Sequence, residues 1–453
     1  MGILTLDEII KATGGRILCG KQREFTGLSI DSRTIKTGEL FVALRGAKFD
    51  GHDFVHDALR EGAGAIVNAP PAAPVNGKVI IYVNNTLAAL QDIARHLRFR
   101  LNVPVVGITG TNGKTTTKEL ISSILGESYK VLKTSGNLNN HIGLPLCISR
   151  MDGDETIMVL EMGSNAQGDI RQLCEIAHPD IAVVTNVGPA HLEGFGSIEM
   201  VRDTDLEILE YVKVVSVNAD DGFLVEGIKN FMGKTTTFGI ENIADVYAGD
   251  IILKEKGTSF SLCFRDGRDV RIDLGIPGRF NVYNALAASS VADGLGIDIG
   301  IIKKGIESFR GVPMRIEIKE LPGVLVISDV YNANPASMEE ALKELARLKR
   351  QRMIAVLGDM LELGRYAEEA HKKLIRHLSE MNIDVLIATG PEMVRASSGF
   401  PGICHKAQNS AEAGAILSDI CAEGDTVLVK GSRGMRMEMA LRDLETVRGK
   451  HAL

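Results

Sequence analysis

The residues with the clearest chemical potential lie between Val105 and Lys118, where the chain reads VVGITGTNGKTTTK. An apolar run breaks into a loop of small residues, Gly110, Thr111, Asn112 and Gly113, and continues with Lys114, Thr115 and Thr116. Backbone N–H groups of such a loop can turn toward an anion, and the helix that follows offers its positive end. Lys114 can reach β- and γ-phosphates, and the Thr115 hydroxyl can hold Mg²⁺. The spacing departs from the common G-x-x-x-x-G-K-[ST] pattern, because Ile108 stands five residues before Gly113 and the glycines lie at Gly107 and Gly110. A plain strand-to-helix turn with a solvated lysine is the alternative. Apolar strand, glycine loop and Thr-rich helix start occur in the order phosphate binding requires, which weighs against it.

Further candidates follow strand-like runs. VLEMGSN places Glu161 at the end of one, and IAVVTNVGPAHLEGFGS places Asn186 and His191 just past another. Ligands of open α/β sheets bind beyond the carboxyl ends of strands, so these residues should share a crevice with Thr115. A carboxylate and an imidazole there can hold a divalent metal; a capping glutamate and a backbone-satisfied loop histidine are the alternatives. NVYNALAAS offers Asn281 and Asn284 at a helix start. DVYNANPASM offers Asp329, Tyr331, Asn332 and Asn334, either an ordinary turn before a helix or an aspartate placed for a ribose hydroxyl. His52 and His56 have the spacing of a zinc pair but lack a third ligand, so surface histidines are the better reading. Asp359 and Glu362 in LGDMLELG read as paired carboxylates or as a capped helix start.

These groups need a scaffold, and 453 residues supply about three domains' worth of chain. The 48 glycines and 45% hydrophobic content fit an α/β protein with many tight strand–helix turns. A net charge of −7 argues against a surface that coats nucleic acid. The six cysteines have no metal-knuckle or C-x-x-C spacing, and no apolar window is long enough to span a membrane. The first residues lack a signal-peptide pattern, so a cytoplasmic protein with reduced thiols is expected. Residues 1–100 read as a small α/β unit with its own core, with a helix over Leu6 to Ala12, short strands around DSRTIKTGELFVALRG and a helix near Asp53 to Glu61. Residues 101–312 read as a parallel sheet with helices on both faces, from TIMVLEM, IAVVTNVG and VKVVSVN. Residues 313–453 read as a second doubly wound, Rossmann-like sheet from four runs, GVLVISD, RMIAVLGD, IDVLIATG and DTVLVKGS.

Assembled in order, DSRTIKTGELFVALRGAKFDGHDF, GITGTNGKTTT, SGNLNNHIGLP, LEMG, TNVGPAHLEGFGS, DVYNANPASM, LGDMLELG and VKGSRGM make the chain resemble the Mur ligase superfamily over nearly its whole length. The resemblance implies three α/β domains: an N-terminal UDP-sugar-binding domain, a central ATPase domain and a C-terminal Rossmann-like domain. It implies ATP-dependent amide bond formation through an acyl phosphate, giving ADP and phosphate, with ATP and Mg²⁺ as cofactors. YNANPxSM and LGDMLELG point to the branch that joins D-alanyl-D-alanine to UDP-MurNAc-tripeptide, with no nucleic acid, no membrane span and a monomer expected. Other ligases of this superfamily, folylpolyglutamate synthase included, and a degenerate nucleotide-binding homologue are the competing readings.

By the same resemblance, Gly110 through Thr116 would hold the ATP phosphates, and Thr115, Glu161 and His191 the metal. Asn186, Asn281, Asp329 and Arg315 would contact the nucleotide. Lys114, Glu161, His191 and Arg315 would be catalytic. Asp31, Ser32, Arg33, Asp50, Gly51 and His52 would lie at the uridine nucleotide, Asn139 and Asn140 near the UDP-sugar substrate, and Tyr331, Asn332, Asn334, Lys430 and Ser432 would complete substrate binding, the last two facing the dipeptide. Two positions depart from the family. Asp205 stands where most members carry a carbamylated lysine whose new carboxylate supports a metal, so the carboxylate here is built in; a solvated helix face is the alternative. Phe280 replaces a histidine and can stack on adenine without hydrogen-bonding it.

Overall fold

The computed structural model describes residues 4–71 and 77–449. The outermost ends of the expected first and third units, residues 1–3 and 450–453, lie outside them. Three sheets of five, nine and six strands follow one another along the chain, with a two-stranded ribbon at the start.

The chain opens on the helix Leu6–Thr13, fixed by a capping box in which Thr5 and Glu8 satisfy each other's backbone N–H groups. The five-stranded sheet runs Arg16–Cys19, Val79–Tyr82, Gly64–Val67, Glu39–Val42, Gly27–Ser29 in space, parallel except for its first strand. Within DSRTIKTGELFVALRG only Glu39–Val42 is a strand; residues 31–35 turn back, with the Thr34 and Ile35 amides donating to the Asp31 carbonyl. The expected self-contained core is a correction. One face has its own cluster around Phe41, Val55 and Leu59, whereas the other merges through Leu90, Ile93 and Leu97 with Leu144, Ile170 and Leu173 on helices that flank the next sheet. The cause is the helix Thr86–Leu101, which packs on the five-stranded sheet on one side and on the helices Gly143–Ile148 and Asp169–Ala177 on the other. Its buried Arg98 donates to the Ala177 and His178 carbonyls, which a neighbouring helix end leaves open.

In the nine-stranded sheet the phosphate-loop strand Val105–Thr109 sits between Ile157–Glu161 and Ile181–Val184, all parallel and fully interior. Val214–Asn218, Lys234–Gly239 and Val246–Lys254 continue the parallel order. Gly257–Phe264 and Asp269–Leu274 then extend the sheet antiparallel, in place of the strand–helix alternation expected through this stretch. Alternating buried and exposed positions along Val246–Lys254 are the pattern of a sheet covered on one face, which favours hairpins.

The six-stranded sheet contains the four expected runs as Val324–Asp329, Asp425–Lys430, Arg352–Gly358 and Val385–Thr389, all parallel. Two edge strands are additional: Glu317–Leu321, antiparallel, and Ile403–Ala407. Both carry charged side chains, which protects an edge but hides the strand from a search for apolar runs.

Candidate active site

Strand ends of the second and third sheets converge on one cleft of about 610 Å³. Its wall includes Thr111, Asn112, Gly113, Lys114, Thr116, Asn139, Asn140, Glu161, Asn186, His191, Asn281, Arg315, Asp329, Tyr331, Asn332, Asn334 and Lys430. Most of the residues singled out from sequence are therefore brought together. Asp31, Ser32, Arg33, Asp50, Gly51 and His52 are not on this wall; the first three lie on the turn after Gly27–Ser29, and Asp50 caps the 3-10 helix Gly51–Phe54 that holds the other two.

The phosphate loop owes its shape to two glycines. Gly110 has φ +120° and Gly113 φ +83°, and a Cβ there would stand 2.2 Å from Thr185 Oγ1 and 2.3 Å from Asn284 Oδ1. The loop is stapled to the neighbouring strand end. Thr111 N donates to Asn186 O at 2.8 Å, Asn112 N to Asn186 Oδ1 at 3.0 Å, and Asn186 Nδ2 returns to Asn112 O at 3.0 Å. Both side-chain atoms of Asn186 thus hold the loop, although the residue also lines the cleft. Lys114 curls back to donate to the Gly110 and Thr111 carbonyls. Burial pushes its ammonium down, while Asp205 and Glu161 pull it up.

Glu161 ends its strand with Oε1 accepting from Asn139 Nδ2 at 2.8 Å and Oε2 buried without a partner among the described residues. Arg315 donates through Nη2 to Thr115 Oγ1 at 3.1 Å and lies 4.1 Å above the Tyr331 ring; its buried Nε likewise has no partner among the described residues. An unsatisfied buried polar atom costs about 1–3 kcal/mol. One orphaned acceptor and one orphaned donor on the same cleft are what a divalent cation and a phosphate oxygen would satisfy, so the residues present fit a nucleotide with its metal.

Asp205 is buried behind the loop, off the cleft wall, with Oδ1 accepting from Thr109 Oγ1 at 2.6 Å. The solvated-face alternative is therefore excluded. Burial pushes this carboxyl above the usual range, against the pull of Lys114 and of hydrogen bonds from Thr109, the Gly110 amide and Ser164. Asn281 donates to Pro277 O and accepts from Asn284 Nδ2, and Phe280 stands beside it on the wall. Asn140 caps the turn before Gly143 with its Oδ1.

On the opposite wall, Lys430 and Asp329 sit side by side on adjacent parallel strands and form a buried ion pair, with Lys430 also donating to Asn332 O at 2.9 Å. Sequence reasoning assigned these two residues to different ligands; the fold joins them. Ser432 is turned inward, accepting from Leu361 N at 2.8 Å and donating to Ala333 O, and Arg433 takes its place on the wall. Asn334 caps the helix Pro335–Arg347 and reaches Asn112 of the phosphate loop.

Asp359 and Glu362 are not a carboxylate pair, and neither caps the helix that follows. Asp359 caps the helix Pro391–Ala396 through the Glu392 and Met393 amides. Glu362 accepts from His191 Nδ1 at 2.6 Å, a contact that holds its carboxyl below the usual range. Nothing local in the sequence announces that partner, 171 residues away. His52 uses both ring nitrogens, Nδ1 on Asp50 and Nε2 accepting from Asn68 N, which closes the zinc reading.

Comparison with known proteins places this geometry. The Mur ligase middle domain profile matches residues 108–292, the Mur ligase glutamate ligase domain profile 314–433, and the Mur ligase family catalytic domain profile 24–98. The UDP-N-acetylmuramoyl-tripeptide--D-alanyl-D-alanine ligase of Bacillus subtilis is 36% identical, with 98% of each chain covered. A crystal structure of MurF from Acinetobacter baumannii superposes with a TM-score of 0.91 at 32% identity, over 98% of this chain and 99% of that one. The MurF ligase of Thermotoga maritima in complex with ADP gives 0.84 at 33% identity, over 94% and 98%.

Proposed function

The chain belongs to the Mur ligase family, and on that premise we propose that it joins D-alanyl-D-alanine to UDP-MurNAc-tripeptide with ATP as phosphate donor, in peptidoglycan precursor synthesis. The observation that carries the reading is the cleft between the nine- and six-stranded sheets, where a phosphate loop, an unpartnered carboxylate oxygen and an unpartnered guanidinium nitrogen meet. The absence of any described helix long and apolar enough to cross a membrane, together with free cysteines, supports a cytoplasmic setting.

Residues 1–100, 101–312 and 313–453 would each present one substrate: the uridine nucleotide at Asp31, Ser32, Arg33, Asp50, Gly51 and His52, ATP at the phosphate loop, and the dipeptide near Lys430 and Arg433. Asp31 and Asp50 are pre-ordered for such a surface by ion pairs with Arg33 and Arg45. The loop amides and Lys114 grip the β- and γ-phosphates and leave the γ-phosphorus open to attack by the tripeptide carboxylate. ADP departs and an acyl phosphate forms. The dipeptide amine then attacks the activated carbonyl, and phosphate leaves with the oxygen of the former carboxylate. Mg²⁺ held by Thr115, Glu161 and His191 would supply charge neutralisation on the phosphates. Arg315, tied to Thr115 and stacked on Tyr331, brings a second cation from the hinge between the two sheets. Asp205 stands behind the loop, held by Thr109, as a carboxyl group the chain already carries, so turnover should need no bicarbonate. Cleft closure excludes water that would hydrolyse the acyl phosphate.

Phosphate release measured with ATP, Mg²⁺, UDP-MurNAc-tripeptide and D-alanyl-D-alanine, omitting each in turn, should depend on all four. Steady release without the dipeptide, or none with the complete mixture, would exclude the reading.

A further inference from the structure

Two non-glycine residues with left-handed backbones face each other across the cleft: His191 with φ 51°, on the loop after Ile181–Val184, and Glu362 with φ 64°, on the loop after Arg352–Gly358. Their loops are joined twice. His191 Nδ1 lies 2.6 Å from Glu362 Oε2, and the Glu193 amide donates to the Glu362 carbonyl at 3.0 Å. The junction continues where the Tyr366 hydroxyl donates to Gly196 O at 3.0 Å. Both side chains are partly exposed, and exposed ion pairs contribute little stability. Left-handed conformations at residues that disfavour them persist where the surroundings over-determine them, and they concentrate at functional sites.

We propose that Glu362 is a positioning residue for the metal-holding histidine of the cleft. A carboxylate accepting at Nδ1 fixes the imidazole in the Nδ1–H tautomer, which makes Nε2 the one nitrogen with a lone pair for a cation. No described residue takes Nε2. The histidine comes from the nine-stranded sheet and its orienting carboxylate from the six-stranded sheet, so the cation set is completed only when the two are seated together. Neither the family match nor the relatives' names assign this task to LGDMLELG.

The proposal rests on the reading of the cleft as an ATP and metal site, and the experiment separates the two. Mn²⁺ binding to the full-length protein with ADP is followed by electron paramagnetic resonance in the wild type, Glu362→Ala, Glu362→Gln, His191→Ala and the Glu362→Ala/His191→Ala double variant. Removal of an outer carboxylate partner typically weakens metal binding by about 10- to 100-fold. Glu362→Ala should therefore lose about 10-fold in Mn²⁺ affinity and need correspondingly more Mg²⁺ for half-maximal turnover. Glu362→Gln, whose amide oxygen still accepts from Nδ1–H, should recover most of that loss. In the His191→Ala background, Glu362→Ala should add nothing, because the two act as one unit. Unchanged Mn²⁺ affinity in Glu362→Ala, with His191→Ala weakened, overturns the proposal and leaves the cleft reading intact. No ADP-dependent Mn²⁺ binding in the wild type overturns both.

Discussion

Asn334 donates from Nδ2 to Asn112 Oδ1 at 2.9 Å, tying the first turn of a helix in the six-stranded sheet to the phosphate loop of the nine-stranded one. Its own Oδ1 is engaged at the same time, accepting from Ser337 N at 2.9 Å as the helix cap. One side chain therefore caps an element and clamps the glycine loop. The two functions can be separated by substitution.

Asn334→Asp retains a good cap but sets a carboxylate against the Asn112 oxygen, so melting should stay near wild type while ATP binding weakens. One hydrogen bond is worth about 0.5–1.5 kcal/mol, or roughly 2- to 13-fold in affinity. Asn334→Ala should lose about 1 kcal/mol of stability in addition. Calorimetric melting beside a nucleotide titration checks both.

Lys430→Met should be strongly destabilising. It leaves Asp329 buried without its cation, and breaking a buried pair costs about 3–5 kcal/mol. Adding Asp329→Asn removes the stranded charge and should restore part of the loss. Urea unfolding of the two variants gives the comparison directly.

Gly113→Ala combines a left-handed backbone, about 1–2 kcal/mol for a residue with a Cβ, with a methyl 2.3 Å from Asn284 Oδ1. ADP affinity should fall at least about tenfold. Gly136→Ala is the control: φ is +55° but nothing stands within 4 Å, so the strain remains while nucleotide binding is untouched. Isothermal titration of both variants separates clash from strain.

Acid should release one particular tie at the start of the chain. Burial alone would raise the Glu8 carboxyl, but the Thr5 amide and hydroxyl, Arg100 and His96 outweigh it and hold it at about 2, against an ordinary 4.5. A carboxyl depressed in the folded state stabilises fully above its unfolded value and loses that contribution as pH falls through the window from 4.5 to about 2. The melting-temperature gap between wild type and Glu8→Gln should be widest near neutrality and should narrow steadily below about pH 4.5.

What the sequence made legible is what local pattern encodes. The parallel strands are continuous apolar runs, so Val105–Thr109, Ile157–Glu161 and Ile181–Val184 and the residues at their ends could be placed without coordinates. Edge strands such as Glu317–Leu321 and Ile403–Ala407 mix charge into the run and gave no such signal. The long-range partners were hidden for another reason. Asn112 with Asn334, His191 with Glu362 and Lys430 with Asp329 are separated by between 101 and 222 residues, and only the strand order sets them opposite one another. Ser432 carries the same lesson: the resemblance implied a hydroxyl facing the dipeptide, yet its neighbours Leu361 and Ala333 turn it inward.

The central claim is that the tripeptide carboxylate attacks the γ-phosphorus and is released as an amide only after carrying phosphate. UDP-MurNAc-tripeptide labelled with ¹⁸O in its reacting carboxyl, turned over with ATP and D-alanyl-D-alanine, tests it most directly. One ¹⁸O should appear in the inorganic phosphate, with ADP as the nucleotide product. Unlabelled phosphate, or label carried into AMP, would contradict the account.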